Sequence, residues 1–274
     1  MAANLELRTL GMVDLRAADG RVLQSVLAQP KRLALLVYLT LAQASGGFFR
    51  RDRLVALFWP ELDEEHARAA LRNTVYNLRR TLGHEAIGRR GDEEIGIAAG
   101  YLTCDATVFE ASVSSGDPAA ALALYRGDLL PGFYIPDAPA FDEWLEQRRT
   151  QLRRTAADAA WRHAEVAGLP PDELVARAHR AAELSGVNES TLRRLLLAFE
   201  RAGDRAGAAH AFDDFRRRLH AEFDLEPSAE LFCLRDRIRE GGRVATVAPG
   251  PPPAAVAAVA PWSPPAAVAA VAPW

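Results

Sequence analysis

Lysine and cysteine are scarce in this sequence. Lys31 is the single lysine among 274 residues, so arginine carries nearly all of the positive charge. That extreme indicates codon bias in a GC-rich genome, and arginine abundance alone therefore does not indicate nucleic-acid binding. The two cysteines, Cys104 and Cys233, lie far apart and match no metal-binding or redox spacing. This predicts buried free thiols in a reducing cytoplasm.

Motifs of the common enzyme classes are also missing. The chain has no G-x-x-x-x-G-K-[ST] phosphate loop, no G-x-S-x-G elbow, no H-E-x-x-H and no C-x-x-C. Its six histidines are scattered without metal-ligand spacing. Asp213 and Asp214 are adjacent, but neighbouring residues of a helix point in different directions. We therefore expect a protein that is not an enzyme and holds no metal and no cofactor.

No hydrophobic run is long enough to cross a membrane. The N-terminus, MAANLELRTL, lacks a basic region followed by an apolar run, so no signal peptide is expected. Residues 244–274 carry no charge and contain PPAAVAAVAPW twice, at 252–262 and 264–274, and their prolines interrupt any spanning helix. We expect a disordered, low-complexity tail over 241–274. A docking peptide that uses its tryptophans, or the stub before a lost membrane anchor, are the alternatives.

Charge and composition favour two folded domains before that tail. The chain is 49% hydrophobic and 25% charged, which suffices for a core, and its length suits two ordinary domains. The net charge of −3 combines a slightly basic part over 1–104 with a more acidic remainder. This asymmetry favours a DNA-binding domain followed by a protein-binding domain.

The first part of the chain alternates between strand and helix patterns. Two alternating stretches within 4–29, LELRTLGMVDLR and RVLQSVLA, flank the turn AADG and predict a small antiparallel sheet. Residues 31–44 are apolar almost all round, which predicts a buried helix. Phe48 and Phe49 could return to the sheet, and Arg51–Phe58 has the pattern of a further helix.

A longer amphipathic helix follows the helix breaker Trp59-Pro60. Asp63 is a plausible N-cap and Gly83 a plausible end. Apolar residues repeat every three or four positions and predict its buried stripe, which consists of Ala67, Leu71, Val75, Leu78 and Leu82. 

The opposite side of this helix has the chemistry of a base-reading surface. It carries Asn73, Tyr76, Asn77 and Arg80, with Arg72 on the flank, and we call these five residues the recognition face. Amides and guanidinium groups form paired hydrogen bonds with base edges in the major groove. An ordinary solvated face would include Asp and Glu, whereas these five residues include neither. The sequence therefore predicts a recognition helix.

Further residues are predicted to contact the DNA backbone. Residues 86–103 contain two short apolar stretches around a basic turn, which predicts a β-hairpin wing. Arg89 and Arg90 on this wing, with Lys31 and Arg51 at helix starts, are expected to reach phosphates or the minor groove.

The turn between the two helices has two interpretations. Trp59, Pro60 and Glu61 either pack to fix the turn or form an exposed contact with RNA polymerase. The sequence leaves both interpretations open.

From residue 105 to 240 the pattern is helical throughout. Helices are predicted near 118–126, 139–167, 172–185, 189–202, 205–222 and 227–240. Residues 172–190 align with 206–228, since both are Ala-rich helices closed by an acidic, Ser-containing turn. Helix pairs at this period resemble tetratricopeptide repeats. The predicted fold is thus an α+β winged helix-turn-helix domain over 1–104, followed by an all-α tetratricopeptide-like domain over 105–240.

Four segments resemble the Streptomyces antibiotic regulatory protein (SARP) family. They are LFWPELDEEHARAALRNTVYNLRRTLG, LYRGDLLPGF at 124–133, EWLEQRRTQLR at 143–153 and AEFDLEPSAEL at 221–231. The resemblance covers about residues 5–240. It implies a response-regulator-type winged helix followed by a bacterial transcriptional activator domain (BTAD). The ATPase and sensor modules of larger members are missing from this chain, and the uncharged tail is not part of the family pattern.

The resemblance implies a cytoplasmic, nucleoid-associated activator that binds promoter direct repeats of double-stranded DNA and recruits RNA polymerase. A homodimer on DNA is expected from the same source, and the folded part is expected to contact no membrane. One alternative is a tetratricopeptide-like scaffold with a vestigial DNA-binding domain. Another is a regulator tethered to a membrane through a C-terminal anchor that is missing here.

Overall fold

The structure is a computed structural model that describes residues 5–42 and 47–241. The predicted tail after Gly241, including the docking alternative, lies outside the described residues. The first part of the chain alternates strands and helices: β1 (Leu5–Arg8), β2 (Asp14–Arg16), α1 (Gln24–Leu27), α2 (Pro30–Leu41), β3 (Phe49–Arg50), α3 (Arg51–Phe58), α4 (Glu64–Leu82), β4 (Ile87–Arg90), β5 (Glu94–Ile97) and β6 (Leu102–Cys104).

The first sheet differs from the prediction. Its order is β2-β1-β6, with β2 antiparallel and β6 parallel to β1. The stretch RVLQSVLA was expected to be a strand, but it forms helix α1 and keeps only an isolated bridge from Val22 to Arg16. Leu23 and Val26 are both buried, and their spacing of three residues suits a helical turn. The third strand of this sheet is β6, which pairs with the edge of β1 opposite β2 and comes from the other end of the domain.

The second sheet is the predicted hairpin with one added strand. Strands β4 and β5 pair antiparallel, and β3 pairs antiparallel with β5, so Phe49 lies opposite Ile95. The turn passes through Gly91, whose φ of 61° is the left-handed conformation that glycine adopts without strain. Phe49 and Ile95 are both buried.

Helix α4 forms as its sequence predicts. All five residues of the predicted buried stripe are buried, from Ala67 to Leu82. The Asp63 carboxylate accepts a hydrogen bond of 3.1 Å from the backbone N–H of His66, which caps the first turn. The backbone leaves the helix at Gly83, where φ is 114°. Helix α3 has the predicted bounds and buries Leu54 and Phe58.

The rest of the described chain is helical, as predicted. It consists of α5 (Asp105–Ser114), α6 (Pro118–Leu124), α7 (Pro139–Ala164), α8 (Pro171–Ser185), α9 (Glu189–Ala202), α10 (Arg205–Phe223) and α11 (Ala229–Glu240). From α7 to α11 each helix packs against the next one along the chain, and α11 also packs against α9. This is the arrangement of stacked helix pairs.

The buried side chains form two clusters. The first runs from Leu5 to Ala156 and thus includes α2, α3, α4 and most of α7. Its centre is aromatic, because the ring centroids of Phe58 and Phe141 are 5.1 Å apart and those of Phe141 and Trp144 are 5.5 Å apart. The second cluster runs from Ala160 to Ile238 and holds α8 to α11 together. The start of α7 therefore belongs to the same core as α4, the helix that carries the recognition face.

The segment LYRGDLLPGF lies directly against the N-terminal strands. The N–H of Gly11 donates to the carbonyl of Asp128 (2.9 Å), and the N–H of Leu130 donates to the carbonyl of Thr9 (2.8 Å). The two backbones cross so closely that a Cβ on Gly127 would lie 2.9 Å from the Cα of Gly11. Only glycine fits this crossing.

Candidate nucleic-acid interface

The recognition face of α4 is open to solvent along most of its length. Arg72, Asn73 and Arg80 are exposed, Tyr76 is 59% exposed, and Asn77 is half-buried. The Asn77 side-chain amide donates to both the carbonyl oxygen (2.8 Å) and the side-chain Oδ1 (2.9 Å) of Asn73. Among the described residues, no hydrogen bond engages the Nδ2 of Asn73 or the Oδ1 of Asn77, so these two amides offer a donor and an acceptor. Such a pair matches the hydrogen-bonding edge of a base.

The charge on this face is not neutralised within the described part of the chain. Among described residues, no hydrogen bond or ion pair engages the guanidinium group of Arg72 or Arg80, whereas most other arginines pair with a carboxylate or a carbonyl. Free guanidinium groups on an exposed helix can bind phosphate or guanine without first breaking an internal contact.

Two arginines join the helices to the wing. The Arg79 guanidinium donates twice to the carbonyl of Ile87, over 3.2 and 2.7 Å, and so links α4 to β4. Arg51 Nε donates to the carbonyl of Asp92 (2.9 Å) and so links α3 to the turn of the hairpin. Arg79 was not among the predicted site residues. Its role depends on a carbonyl of another element, and no sequence pattern around Arg79 indicates that.

A basic groove lies between α3, α4 and the wing. It has a volume of about 610 Å³ and is lined by Arg51, Arg68, Arg72, Arg79 and Arg89, with Asp52, Asp92 and Glu93 also contributing. We call it the wing groove. Burial, followed by the nearby charge of Arg89, lowers the pKa of both Arg51 and Arg79. Because like charges repel here, a bound anion such as a phosphate would be stabilised in the wing groove.

The two wing arginines differ in their surroundings. Arg89 is exposed, and within the described chain its guanidinium makes no hydrogen bond or ion pair. Arg90 lies 3.5 Å from the Glu94 carboxylate and stacks 4.5 Å from the ring centroid of Phe48. Arg89 is therefore the better placed of the two for a phosphate.

Lys31 faces carboxylates rather than open solvent. Its Nζ lies 2.9 Å from Glu61 and 3.0 Å from Asp137, and 5.6 Å from the ring centroid of Trp59. This ammonium group joins α2 to the segment that leads into α7. A phosphate contact, as predicted from its place at a helix start, would require breaking both ion pairs.

The turn after α3 is divided between core and surface. Trp59 is only 5% exposed, which favours the core-packing interpretation for this residue and removes it from the reach of a partner. Pro60 and Glu61 are exposed, although Glu61 is paired with Lys31.

The histidines, acidic residues and cysteines of the described residues are the side chains that could form a metal site or a reactive thiol. No group of three or more His, Cys, Asp or Glu side chains there is arranged to hold a metal ion. Cys104 is buried as expected, and burial raises the pKa of its thiol to about 12. Cys233 was also expected to be buried, but it is exposed, because it lies on the outer side of α11. None of the described helices combines the length and the apolarity that a membrane span needs.

A helix-turn-helix followed by a hairpin wing and joined to a stack of helices is a winged-helix architecture with a helical second part. Residues 104–239 match the family model described as Bacterial transcriptional activator domain. The structure of Mycobacterium tuberculosis EmbR in complex with a low affinity phosphopeptide has the same fold, with a TM-score of 0.58 and 21% sequence identity. The match covers 87% of this chain and 65% of the EmbR chain. No curated protein matches the sequence.

These comparisons confirm the resemblance stated from sequence. The fold has a mixed α+β N-terminal part and a helical part, and the helical part matches the BTAD model.

Proposed function

We propose that the chain is a sequence-specific activator that binds promoter DNA through the recognition face of α4. The observation that carries this proposal is the exposed, carboxylate-free row of amide, phenol and guanidinium groups on an otherwise well-packed helix. Inserted into the major groove, Asn73, Asn77 and Arg80 read base edges. Tyr76 and Arg72 flank them and contact the sugar-phosphate backbone.

The wing groove binds the phosphates beside the recognition site. Arg89 contacts a phosphate directly, since no internal contact among described residues holds its guanidinium. Arg51 and Arg79 add positive charge and hold the hairpin in a fixed position relative to α3 and α4. The guanidinium group of Arg89, which no described residue engages, and the lowered pKa of the half-buried Arg51 and Arg79 support this assignment.

Transcription activation itself rests on the helical part. The family of residues 104–239 is described as an activator domain, which supports recruitment of RNA polymerase after DNA binding. We propose that two copies bind direct repeats head-to-tail and that the exposed turn at Pro60 and Glu61 contributes to the polymerase contact. Lys31 and Trp59 contribute by holding the turn at Pro60 and Glu61 in place.

Such a protein acts in the cytoplasm, on the nucleoid.

Selection from sheared genomic DNA, followed by gel shifts on the enriched fragments, tests the proposal. We expect salt-sensitive binding with a clear preference for a few fragments. Asn73→Ala and Arg80→Ala should each reduce discrimination by about 1–3 kcal/mol. Equal binding to all fragments at low salt would contradict sequence-specific recognition and favour the scaffold alternative.

The arrangement of two copies has its own test. If they bind one turn of the duplex apart, the half-sites are spaced by about 10–10.5 base pairs. Inserting five base pairs places the second half-site on the opposite side of the duplex, so cooperative binding should disappear. Cooperativity that survives this insertion excludes the head-to-tail dimer but leaves DNA binding intact.

A further inference from the structure

A second groove lies between two of the last helices of the described chain. It is formed between α9 and α11, has a volume of about 780 Å³, and is lined in part by Leu197, Leu231 and Leu234. Leu197 and Leu234 are partly exposed in the described chain. We call this the C-terminal groove.

Two ion pairs border the apolar part of the C-terminal groove. Arg193 of α9 lies 3.5 Å from Glu230 of α11, and Arg237 of α11 lies 2.9 Å from Glu200 of α9. Leu197 falls between Arg193 and Glu200 along α9, and Leu234 falls between Glu230 and Arg237 along α11. On each of the two helices, an apolar stretch therefore lies between two charged side chains that are paired with the other helix. An uncharged segment could enter it without leaving either charge unpaired.

The chain itself supplies such a segment. Residues 244–274 contain no charged side chain, and each copy of PPAAVAAVAPW ends in a tryptophan. Helix α11 ends at Glu240, so this segment starts from the helix that forms one wall of the groove. Residues 242–261 span at most about 70 Å when fully extended. Since α11 is about 18 Å long, the tail has ample length to return along it.

We propose that the C-terminal groove binds the Pro-, Ala- and Val-rich tail of the same chain, with Trp262 or Trp274 as the anchor. Burying one indole between Leu197 and Leu234 removes a large apolar surface from water. The proline that precedes each tryptophan limits the conformational entropy that is lost when an extended segment docks. Covalent attachment raises the local concentration of the tail at the groove, which favours binding within one chain.

Cys233 provides a direct reporter of this docking, because it is exposed and lines the C-terminal groove. The other cysteine, Cys104, is buried with a thiol pKa of about 12, so it does not react while the protein is folded. The rate of Cys233 alkylation by N-ethylmaleimide is measured on the full chain and on the variant Trp262→Ala/Trp274→Ala. We expect the variant to react about tenfold faster, which corresponds to a docking free energy of about 1.4 kcal/mol.

Two controls make the outcome decisive. Ser263→Ala keeps both tryptophans and should react at the rate of the full chain, and circular dichroism melts should be the same for all variants. A chain ending at Gly241 should react as fast as the double tryptophan variant, and the peptide PPAAVAAVAPW should protect it. Equal rates in the full chain and the double variant would overturn the proposal. Protection that increases with protein concentration would overturn docking within one chain and assign the groove to the tail of a second copy.

Discussion

The ring of Tyr38 on α2 contacts the indole of Trp144 on α7, with 4.8 Å between the ring centroids. Tyr38 is 2% exposed, and it also packs edge-on against Phe58, with 5.8 Å between the ring centroids. Trp144 belongs to the segment EWLEQRR, one of the four that carry the family resemblance. In this structure the segment packs α7 against the core that also contains α4, the helix with the recognition face.

Phe141 tests how far this shared core stabilises the fold. It is fully buried and contacts both Phe58 and Trp144. Phe141→Ala leaves a cavity in the core, so we expect the free energy of unfolding to fall by about 3–5 kcal/mol in urea titrations. Phe223→Ala is the matched control, because Phe223 is 57% exposed. It should change the free energy of unfolding by less than about 0.5 kcal/mol. Similar losses for the two variants would contradict the assigned core.

Arg79 and Arg80 are neighbours with different predicted roles. Arg79 is held by the Ile87 carbonyl, while Arg80 is exposed on the recognition face. Arg79→Ala should destabilise the protein by about 1–2 kcal/mol and accelerate hydrogen exchange in β4 and β5, because a partly buried charged hydrogen bond is lost.

Arg80→Ala should leave stability and exchange of the wing unchanged but relax sequence preference on DNA. Hydrogen exchange and gel shifts on the same two variants separate these roles. If Arg80→Ala alone accelerates exchange in the wing, the assignment of the two residues is reversed.

Arg89 is predicted to neutralise one phosphate. Arg89→Ala should weaken binding to all DNA sequences alike and reduce the slope of log K against log salt by about 1. Arg218→Ala on α10 removes an exposed arginine from the helical domain and should leave the slope unchanged. Binding measured by fluorescence anisotropy between low and moderate salt gives both slopes. Equal slopes for the wild type and Arg89→Ala would exclude this phosphate contact.

Asp128 gives a prediction on pH. Its carboxylate accepts hydrogen bonds from Arg153, which lower the pKa of Asp128 in the folded protein. Because the folded pKa is below the unfolded value of about 3.9, this pair stabilises the folded state at pH 7, and the contribution is lost as pH falls through the folded pKa. Asp128→Asn should therefore destabilise the protein at pH 7, with a smaller effect near pH 3. Urea titrations at both pH values measure this difference.

Asp158→Asn on the exposed side of α7 is the control for this measurement and should not change stability at pH 7. A destabilisation by Asp128→Asn that is equally large at both pH values would show that its carboxylate charge is not responsible.

The elements that could be predicted from sequence are those whose signals are local. The stripe from Ala67 to Leu82, the cap at Asp63 and the bounds of α3 follow from periodicity and from residues within a few positions of each other. The recognition face lies opposite this stripe on the same helix, so the residues that form it could also be predicted. Its role in DNA binding stays a prediction. Helices α6 to α11 follow for the same reason.

Features that depend on distant pairing could not be predicted. Strand β6 pairs with β1 across nearly the whole first domain, so no local pattern indicates this parallel pairing. In the sequence, Arg79 resembles any other arginine near a helix end. Its hydrogen bonds to the Ile87 carbonyl are visible only in the structure. Lys31 was predicted to contact phosphate. Its ion pair with Asp137 could not be predicted, because Asp137 belongs to the helical part of the chain.

The crossing of Gly11 and Gly127 limits how this protein can be recombined with its relatives. A chimera joined at residue 104 would place the turn at Gly11 from one parent against the segment LYRGDLLPGF from another. A side chain on either glycine would meet backbone atoms within 3 Å. The hydrogen bonds of Thr9 and Gly11 to this segment would have to be matched at the same time. An exchanged winged helix would therefore keep this crossing most simply if residues 127–130 came from the same parent, so the smallest segment to exchange extends beyond the winged helix.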